Sequence, residues 1–208
     1  MQQKLKQLSI HMVRHGRSVG NQLSQMSGHT DHKLVPEGIS ELGELKKKIS
    51  YQAFDRLYSS DLYRAYTTAE ILFDQKVEPQ NRRYGLREIY FGDVENQVYD
   101  SNFIKVFYKD FFGEYPKTLN AENGIEFQER IMTELQEIAD EMVRDGLDSA
   151  MIVAHAGTIR MAHFTFLKTP IENYRDIEIE NGKGYSFELD YEPVNRTFKI
   201  RDYQKIDV

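Results

Sequence analysis

Apolar residues recur along the chain with two periods, one typical of strands and one typical of amphipathic helices. The strand-like pattern predicts five strands, at residues 5–13, 56–59, 150–154, 185–191 and 197–203. Helical spacing predicts helices at residues 36–49, 62–73, 126–144 and 157–167. Strands and helices therefore alternate over most of the chain, and two strands end it, which favours an α/β protein.

Residues at the ends of these segments support the same division. Pro36 suits a first helical turn, Asp61 is the predicted N-cap of the second helix, and Gly146 is a stop signal after the longest helix. The last two strands predict a hairpin. Strands followed by helices indicate a mixed, mostly parallel central sheet covered on both faces, which is a three-layer α/β/α arrangement.

The composition is that of one folded domain spanning residues 1–208. Hydrophobic residues make up 40% of the chain, enough to build a core. There is no cysteine, so disulfides, zinc–thiolate sites and thiol nucleophiles are excluded. We find neither a leader-like apolar segment at residues 1–10 nor a run of ~20 apolar residues. A soluble, cytoplasmic protein with no membrane partner is therefore expected.

The net charge of −6 narrows the kinds of ligand that are expected. Nucleic acid needs a basic surface, and the chain has neither a positive balance nor a dense run of Lys and Arg, so no nucleic-acid partner is expected. An anionic small molecule would have to be held by a local cluster of positive groups. The positions of individual arginines are therefore informative.

Two histidines follow predicted strands, at the end where α/β proteins bind their ligands. His15 comes after the first strand, and His155 comes directly after the strand at residues 150–154. Because the carboxyl ends of parallel strands lie at the same edge of a sheet, this placement points to a functional site at that edge.

The first of these histidines, His15, lies between Arg14 and Arg17. A neutral imidazole can act as a nucleophile and form a covalent intermediate. The guanidinium groups would bind a phosphate and lower the pKa of His15 by like-charge repulsion, which keeps the ring neutral near pH 7. Gly16 would leave room for the ligand. The alternative for so short a motif is a surface histidine with solvated arginines.

Three further segments carry candidate chemistry. Arg64 lies near the start of a helix, where both the helix end and the guanidinium suit an anion; the alternative is an exposed arginine. Glu88 lies among apolar and aromatic neighbours and could donate a proton, unless it is a solvated glutamate. His155 enters a turn with Gly157 that opens a helix, whose N–H groups could cradle an oxyanion, or it is a core histidine.

Together, these four segments resemble the signature of the histidine phosphatase superfamily, the phosphoglycerate mutase-like proteins. The matching stretches, spread over residues 13–160, are RHG at 14–16, SDLYRAYTTA at 60–69, LREIYFG at 86–92 and HAGTIR at 155–160. A looser match places Arg130 after a Gly-x-Glu. The resemblance implies the phosphoglycerate mutase-like α/β/α fold and a phosphatase that carries phosphate on a histidine.

The resemblance also implies roles for particular residues. His15 matches the phosphorylated histidine and Glu88 the proton donor, while Arg14, Arg64 and His155 match the groups that surround the phosphate. The predicted substrate-binding residues are Asn21, Ser18, Arg17, Gly157 and Thr30. The implied substrate is a small phosphorylated metabolite, and no metal or other cofactor is expected because arginines neutralise the phosphate charge.

Some positions bear on the branch of the family. Ser18 resembles the mutases, but Gly20 stands where mutases usually have Trp, and residues 86–89 have the phosphatase form. We therefore favour a phosphatase, with a cofactor-dependent phosphoglycerate mutase as the alternative. The family often has a Trp after the glutamate motif, and this chain has no Trp at all, which predicts an unusual substrate preference.

An alternative from another class is an inactive relative that only binds phosphorylated ligands. The presence of both His15 and Glu88 argues against it. The terminal hairpin is either a free edge or an interface, so a homodimer stays open as a partner.

Residues 97–124 are a candidate lid or cap on the domain. Tyr99, Phe103, Phe107 and Phe111 recur every four residues, which predicts an amphipathic helix packed on the core. The functional alternative is a lid whose aromatic side chains contact the substrate. The two descriptions are compatible.

Overall fold

The protein is built around one six-stranded sheet, seen in a computed structural model that describes residues 5–208. The strands are β1 (Lys6–Arg14), β2 (Arg56–Ser60), β3 (Arg82–Arg83), β4 (Ser149–Ala154), β5 (Gly184–Glu192) and β6 (Thr197–Ile206). Their order is β3-β2-β4-β1-β5-β6. Strands β1 to β4 run parallel to one another, β5 pairs antiparallel with β1, and β6 pairs antiparallel with β5, which confirms the predicted mixed sheet and terminal hairpin. Residues 1–4, part of the segment searched for a leader, lie outside this description.

Six α-helices accompany the sheet: α1 (Val19–Gln22), α2 (Pro36–Lys48), α3 (Tyr63–Phe73), α4 (Ser101–Lys109), α5 (Gly124–Asp145) and α6 (Ala156–Leu167). Short 3-10 segments lie at Pro79–Asn81, Tyr84–Leu86, Gly92–Val94, Pro116–Leu119 and Ile171–Asp176. The four predicted helices are all found, whereas α1 and β3 are too short to give a periodic signal. Within residues 5–208, no helix has the length and apolar character needed to span a bilayer.

The two faces of the sheet are covered by different helices. Along β4, Ile152 and Ala154 belong to the apolar cluster that contains α5 and α6, while Met151 and Val153 belong to the cluster that contains α2 and α3. This alternation follows from the two-residue period of a strand. Strand β4 is therefore buried on both sides, which explains why residues 150–154 are apolar at every position.

The prediction that Asp61 caps the second helix is wrong. Leu62 occupies the N-cap position of α3, with no side-chain cap. Asp61 instead accepts two hydrogen bonds of 2.7 Å from the guanidinium of Arg87. A local capping rule is overridden here by a bidentate ion pair with a partner distant in sequence, and that pair links the end of β2 to the segment that carries Glu88.

The aromatic stripe predicted at residues 99–111 is helical only within α4. Phe107 and Phe111 are buried in the core, where they contact each other with ring centroids 5.8 Å apart. Ile104 and Tyr108, on the adjacent side of α4, also pack against this core and line a cavity described below. The helix thus contributes side chains both to the core and to the cavity wall.

Two glycines with free space around them test how backbone conformation affects stability. Gly146 ends α5 with φ +71°, Gly43 lies inside α2, and a Cβ added at either would meet no atom within 4 Å. We expect Gly146→Ala to lower the free energy of unfolding by about 1–2 kcal/mol, because the left-handed conformation disfavours a Cβ. Gly43→Ala should raise it by about 0.5–1 kcal/mol, because glycine weakens a helix interior. Urea denaturation measures both, and a change of the same sign in the two variants would contradict this explanation.

Candidate active site

The parallel pairing of β1 and β4 brings two histidines together. Arg14 is the partner of Ala154 in the register of these strands, so His15 and His155 leave the sheet side by side. Their ring centroids are 5.1 Å apart, with 63° between the ring planes. Both side chains are buried. The two histidines thus meet at the edge of the sheet at which the sequence places a site.

The tautomer of His15 is set by the backbone. Its Nδ1 lies 2.7 Å from the carbonyl oxygen of Gly16. Because a carbonyl oxygen only accepts, Nδ1 carries the proton, and the neutral ring keeps its lone pair on Nε2. The His15 carbonyl in turn accepts a 2.6 Å hydrogen bond from the side chain of Asn181. The ring is therefore held with Nε2 as the nucleophilic atom.

Gly16 is required by packing. A Cβ at this position would lie 2.6 Å from Cδ1 of Leu42 on α2. The space that the sequence analysis gave to a ligand is thus filled by a core side chain, and that expectation is wrong. The Gly16 N–H donates to the Thr68 hydroxyl at 2.9 Å, which ties the turn after β1 to α3.

Two arginines flank the histidine pair, one fully buried and one partly buried. Arg64 is fully buried, and its η nitrogens donate to the carbonyl oxygens of Ser27, Gly28 and Thr30 at 2.7–2.9 Å. Arg14 donates through Nη1 to the Ile179 carbonyl at 2.7 Å. In both guanidinium groups Nε is buried and finds no acceptor within residues 5–208. Each arginine therefore keeps at least its Nε–H for a bound anion to accept.

These surroundings hold the two histidines neutral. Burial lowers the pKa of His15 well below its usual value, and the charges of Arg64 and Arg14 lower it further. The pKa of His155 is lowered well below its usual value by the same causes, burial first and Arg64 second. Burial also lowers the pKa of Arg64 to about 10, which leaves this side chain charged at pH 7. The site therefore combines neutral imidazoles with charged guanidiniums.

Glu88 brings a carboxylate to the start of α6. Its Oε2 accepts a 2.9 Å hydrogen bond from the N–H of Gly157, and its Oε1 accepts one of 2.9 Å from the N–H of Ile89. A Cβ at Gly157 would lie 1.9 Å from Glu88 Oε1, so only glycine leaves space for the carboxylate. Each oxygen of Glu88 keeps a further lone pair for a ligand.

Arg130 holds the backbone of the segment that carries Glu88. Its guanidinium donates to the carbonyl oxygens of Gly85, Arg87 and Glu88 at 2.9–3.0 Å. The same guanidinium forms a bidentate pair with Glu122, at 2.7 and 2.8 Å. The sequence contained only a loose motif match for Arg130. Its hydrogen bonds to the backbone around Glu88 depend on the tertiary structure and could not be predicted from that match.

The predicted substrate-binding residues divide into two groups. Asn21 and Gly157 line the cavity described next. Ser18 is buried as the N-cap of α1, in a capping box with Asn21. Arg17 forms a 2.8 Å ion pair with Glu41, and Thr30 donates its hydroxyl to Glu95. Ser18, Arg17 and Thr30 do not line the cavity. They can affect ligand binding only through the residues to which they are hydrogen-bonded, among them Asn21, Glu41 and Glu95.

A cavity of about 870 Å³ opens onto this edge of the sheet. The predicted residues Arg14, His15 and Glu88 lie on its wall, and Arg64 and His155 are buried behind it. Unpaired buried guanidinium N–H groups beside a nucleophilic nitrogen and a carboxylate can bind a phosphate and transfer it. No group of three or more His, Cys, Asp or Glu side chains in the described part of the chain is placed to hold a metal ion.

Four cationic residues of the cavity wall were missed by the sequence analysis: Lys105, Lys109, Arg160 and Arg175. Arg160 ends the HAGTIR stretch, so a signal existed. Lys105 and Lys109 share one side of α4, which is recognisable only when the core-facing side of that helix is known. Arg175 lies in the 3-10 segment Ile171–Asp176, outside every motif, and had no signal.

The neutral histidines predict a specific titration behaviour. A histidine in the unfolded chain has a pKa near 6.5, so about 90% of such rings are protonated at pH 5.5. We expect side-chain ¹⁵N NMR to show His15 and His155 still neutral at pH 5.5, with His15→Asn and His155→Asn variants to assign the signals. Because only the unfolded chain then gains these protons, the free energy of unfolding should fall as the pH drops below 6.5. Titration of either ring near pH 6.5 would contradict the geometry.

Sequence comparisons place the chain among known proteins. The family model "Histidine phosphatase superfamily (branch 1)" matches residues 10–198. The chain is 26% identical over 187 residues to an adenosylcobalamin/alpha-ribazole phosphatase of Salmonella typhimurium, covering 84% of this chain and 87% of that protein. It is 30% identical over 160 residues to a broad-specificity phosphatase of Saccharomyces cerevisiae, covering 74% of this chain and 68% of that protein.

Solved structures have the same fold. A phosphoglycerate mutase from Bacillus anthracis matches with a TM-score of 0.75 and 22% identity, over 97% of this chain and 95% of that one. This confirms the predicted phosphoglycerate mutase-like fold and, at such low identity, nothing more. The two relatives named above are phosphatases, so the mutase alternative is not favoured. The chain therefore belongs to the histidine phosphatase superfamily, branch 1, as a phosphoric monoester hydrolase.

Proposed function

We propose that the chain hydrolyses the phosphate ester of a small metabolite through a phosphohistidine on His15, with Glu88 as the proton donor. One observation carries this proposal: Nδ1 of His15 is bound to the Gly16 carbonyl, which leaves the lone pair of Nε2 on a ring that lines the cavity. A neutral nucleophilic nitrogen beside buried guanidinium groups meets the two requirements of phosphoryl transfer, attack and charge stabilisation.

In the first step, Nε2 of His15 attacks phosphorus while the bond to the ester oxygen breaks. Protonated Glu88 gives its proton to the departing alkoxide, so that an alcohol leaves. The position of Glu88 supports this role, because its carboxyl group and the His15 ring line the same cavity.

In the second step, a water molecule attacks phosphorus and the P–N bond breaks. Glu88, now ionised, takes the proton of that water and returns to its starting state. The electron pair of the P–N bond returns to Nε2. Throughout both steps Nδ1 keeps its proton, which stays hydrogen-bonded to the carbonyl oxygen of Gly16. One water is consumed, and one alcohol and one phosphate are released.

Arg14, Arg64 and His155 are proposed to stabilise the charge on the phosphoryl oxygens. The free Nε–H groups of the two arginines support this role. Both ring nitrogens of His155 are buried without a partner in residues 5–208, so its one N–H is also available. Removing one donor of this kind lowers a rate by about 10²–10³. Asn21, which lines the same cavity, is proposed as a further donor.

We also propose that α4 acts as a cap on the part of the substrate beyond the phosphate. Tyr99, Ile104 and Tyr108 line the same cavity as His15, and they come from the segment 97–124 that the sequence marks as a candidate lid. That this segment moves as a lid stays a prediction from the sequence pattern of residues 97–124.

The nucleophile is tested by phosphate release from a panel of phosphomonoesters in the presence of EDTA. Wild type should turn over, and EDTA should have no effect because arginines bind the phosphate charge. His15→Asn should be inactive, since no covalent intermediate can form. His163→Gln is the control, because His163 is also buried but does not line the cavity. Turnover by His15→Asn, or activity restored after EDTA only by Mg²⁺, would contradict the proposal.

The proton donor is tested through the leaving group. Glu88→Gln should lower kcat/KM by about 10²–10⁴ for an alkyl phosphate, whose alkoxide needs a proton to leave. For 4-nitrophenyl phosphate the loss should be far smaller, because nitrophenolate leaves without one. Equal losses on both substrates would show that Glu88 has another role.

A further inference from the structure

The outer wall of the cavity carries more positive charge than one phosphate needs. Lys105 and Lys109 come from α4, Arg160 from α6, and Arg175 from the 3-10 segment after it. None of these four side chains forms an ion pair with a carboxylate anywhere in residues 5–208, although ion pairs are frequent on the rest of the surface. Among the residues that the structure describes, Glu88 is the one acidic residue on the cavity wall.

This excess of positive charge is confined to the cavity wall, whereas the chain as a whole carries a net charge of −6. A phosphate bound at His15 would be neutralised by Arg14 and by the fully buried Arg64. The four outer cations would then face each other without a counter-charge, in a concave site where repulsion is screened less than on an open surface. A substrate with an uncharged body leaves that repulsion in place, whereas a second anionic group removes it.

Two of the four cations are held in place by aromatic rings. The guanidinium of Arg175 lies 4.2 Å from the ring centroid of Tyr108, and that of Arg160 lies 5.8 Å from the ring centroid of Tyr174. The two tyrosine rings are stacked, with centroids 6.2 Å apart. The same stacked pair therefore supports both guanidinium groups, which reduces the side-chain entropy that ligand binding would otherwise remove.

Arg160 is also anchored by its own hydrogen bond. Its Nε donates to the carbonyl oxygen of Ile177 at 3.1 Å. Its η nitrogens donate to no acceptor in residues 5–208, so the outer edge of the guanidinium is available for an oxyanion. Burial lowers the pKa of Arg14 and the positive charge of Arg160 lowers it further, which places Arg160 within electrostatic reach of the phosphate end of the cavity.

We propose that the substrate carries a second oxyanion, a carboxylate or a second phosphate, and that Arg160 and Arg175 bind it, with Lys105 and Lys109 at the cavity mouth. This inference rests on the proposed function and specifies its substrate class. Arg160 and Arg175 are thus specificity-determining residues for the same hydrolysis.

The experiment compares substrates in matched pairs that differ in the second anion. O-phosphoserine is paired with O-phosphoethanolamine, 3-phosphoglycerate with glycerol 3-phosphate, and fructose 1,6-bisphosphate with fructose 6-phosphate. The first two pairs test a carboxylate, and the third tests a second phosphate. For wild type we expect kcat/KM to be at least about tenfold higher for the member with the second anion in one or more pairs, since a charge-assisted hydrogen bond contributes that much or more.

Variants then assign the preference to the two arginines. Arg160→Gln and Arg175→Gln should each lower kcat/KM for the preferred member by about 10- to 100-fold, mainly through KM, because the second anion is bound in the ground state as well as in the transition state. On the matched partner without that anion, the loss should be at least about tenfold smaller. Lys199→Gln is the control, because Lys199 is exposed on β6 and outside the cavity.

The outcomes separate this inference from the proposed function. If wild type hydrolyses both members of every pair equally well, the second subsite is refuted while the phosphatase proposal stands. If a preference exists but neither arginine variant reduces it, these residues do not bind the second anion and the inference is refuted. If wild type releases phosphate from none of the six compounds and not from 4-nitrophenyl phosphate, the proposed function fails, and the inference fails with it.

Discussion

Buried positive charge without a matching carboxylate is the constraint on which this site depends. Arg64 has no exposed surface, yet its η nitrogens bind neutral carbonyl oxygens of residues 27–30. Burying a guanidinium is unfavourable unless its N–H groups are bonded, and carbonyl dipoles meet that need without cancelling the charge. The charge of Arg64 therefore stays available to attract an anion, and it adds to burial in lowering the pKa of His15 and His155.

A second arginine shows the contrasting arrangement. Arg130 is neutralised by a bidentate pair with Glu122 and binds three backbone carbonyls around Glu88. Its charge is thus compensated locally, and its effect on the site is to fix a segment of backbone. An arginine whose partners are neutral carbonyls, such as Arg64, keeps its charge for binding an anion. An arginine paired with a carboxylate, such as Arg130, instead fixes the position of the backbone that it contacts. The distinction rests on partners that are distant in sequence.

Some elements were predictable because their cause is local. The period of apolar residues located α2, α3, α5 and α6, since one buried side of a helix recurs every 3.6 residues. Failures occurred where a distant partner overrides a local preference. Asp61 has the right chemistry for an N-cap but is held by Arg87, and Gly16 leaves space that Leu42 fills. Neither partner is near in the chain, so no local rule could identify them.

The sequence alone determined which groups are proposed to react, because His15, Glu88 and His155 lie in short motifs, and His15 and His155 follow parallel strands that end at one edge. It also determined the α/β class, through alternation of the two hydrophobic periods. Only the tertiary structure decided which tautomer His15 adopts and which further cations reach the cavity. The lysines of α4 line the cavity because α4 buries Phe107 and leaves the side with Lys105 and Lys109 exposed, while Arg175 comes from the 3-10 segment Ile171–Asp176. The orientation of α4 results from packing between segments far apart in the chain, which no single stretch of residues encodes.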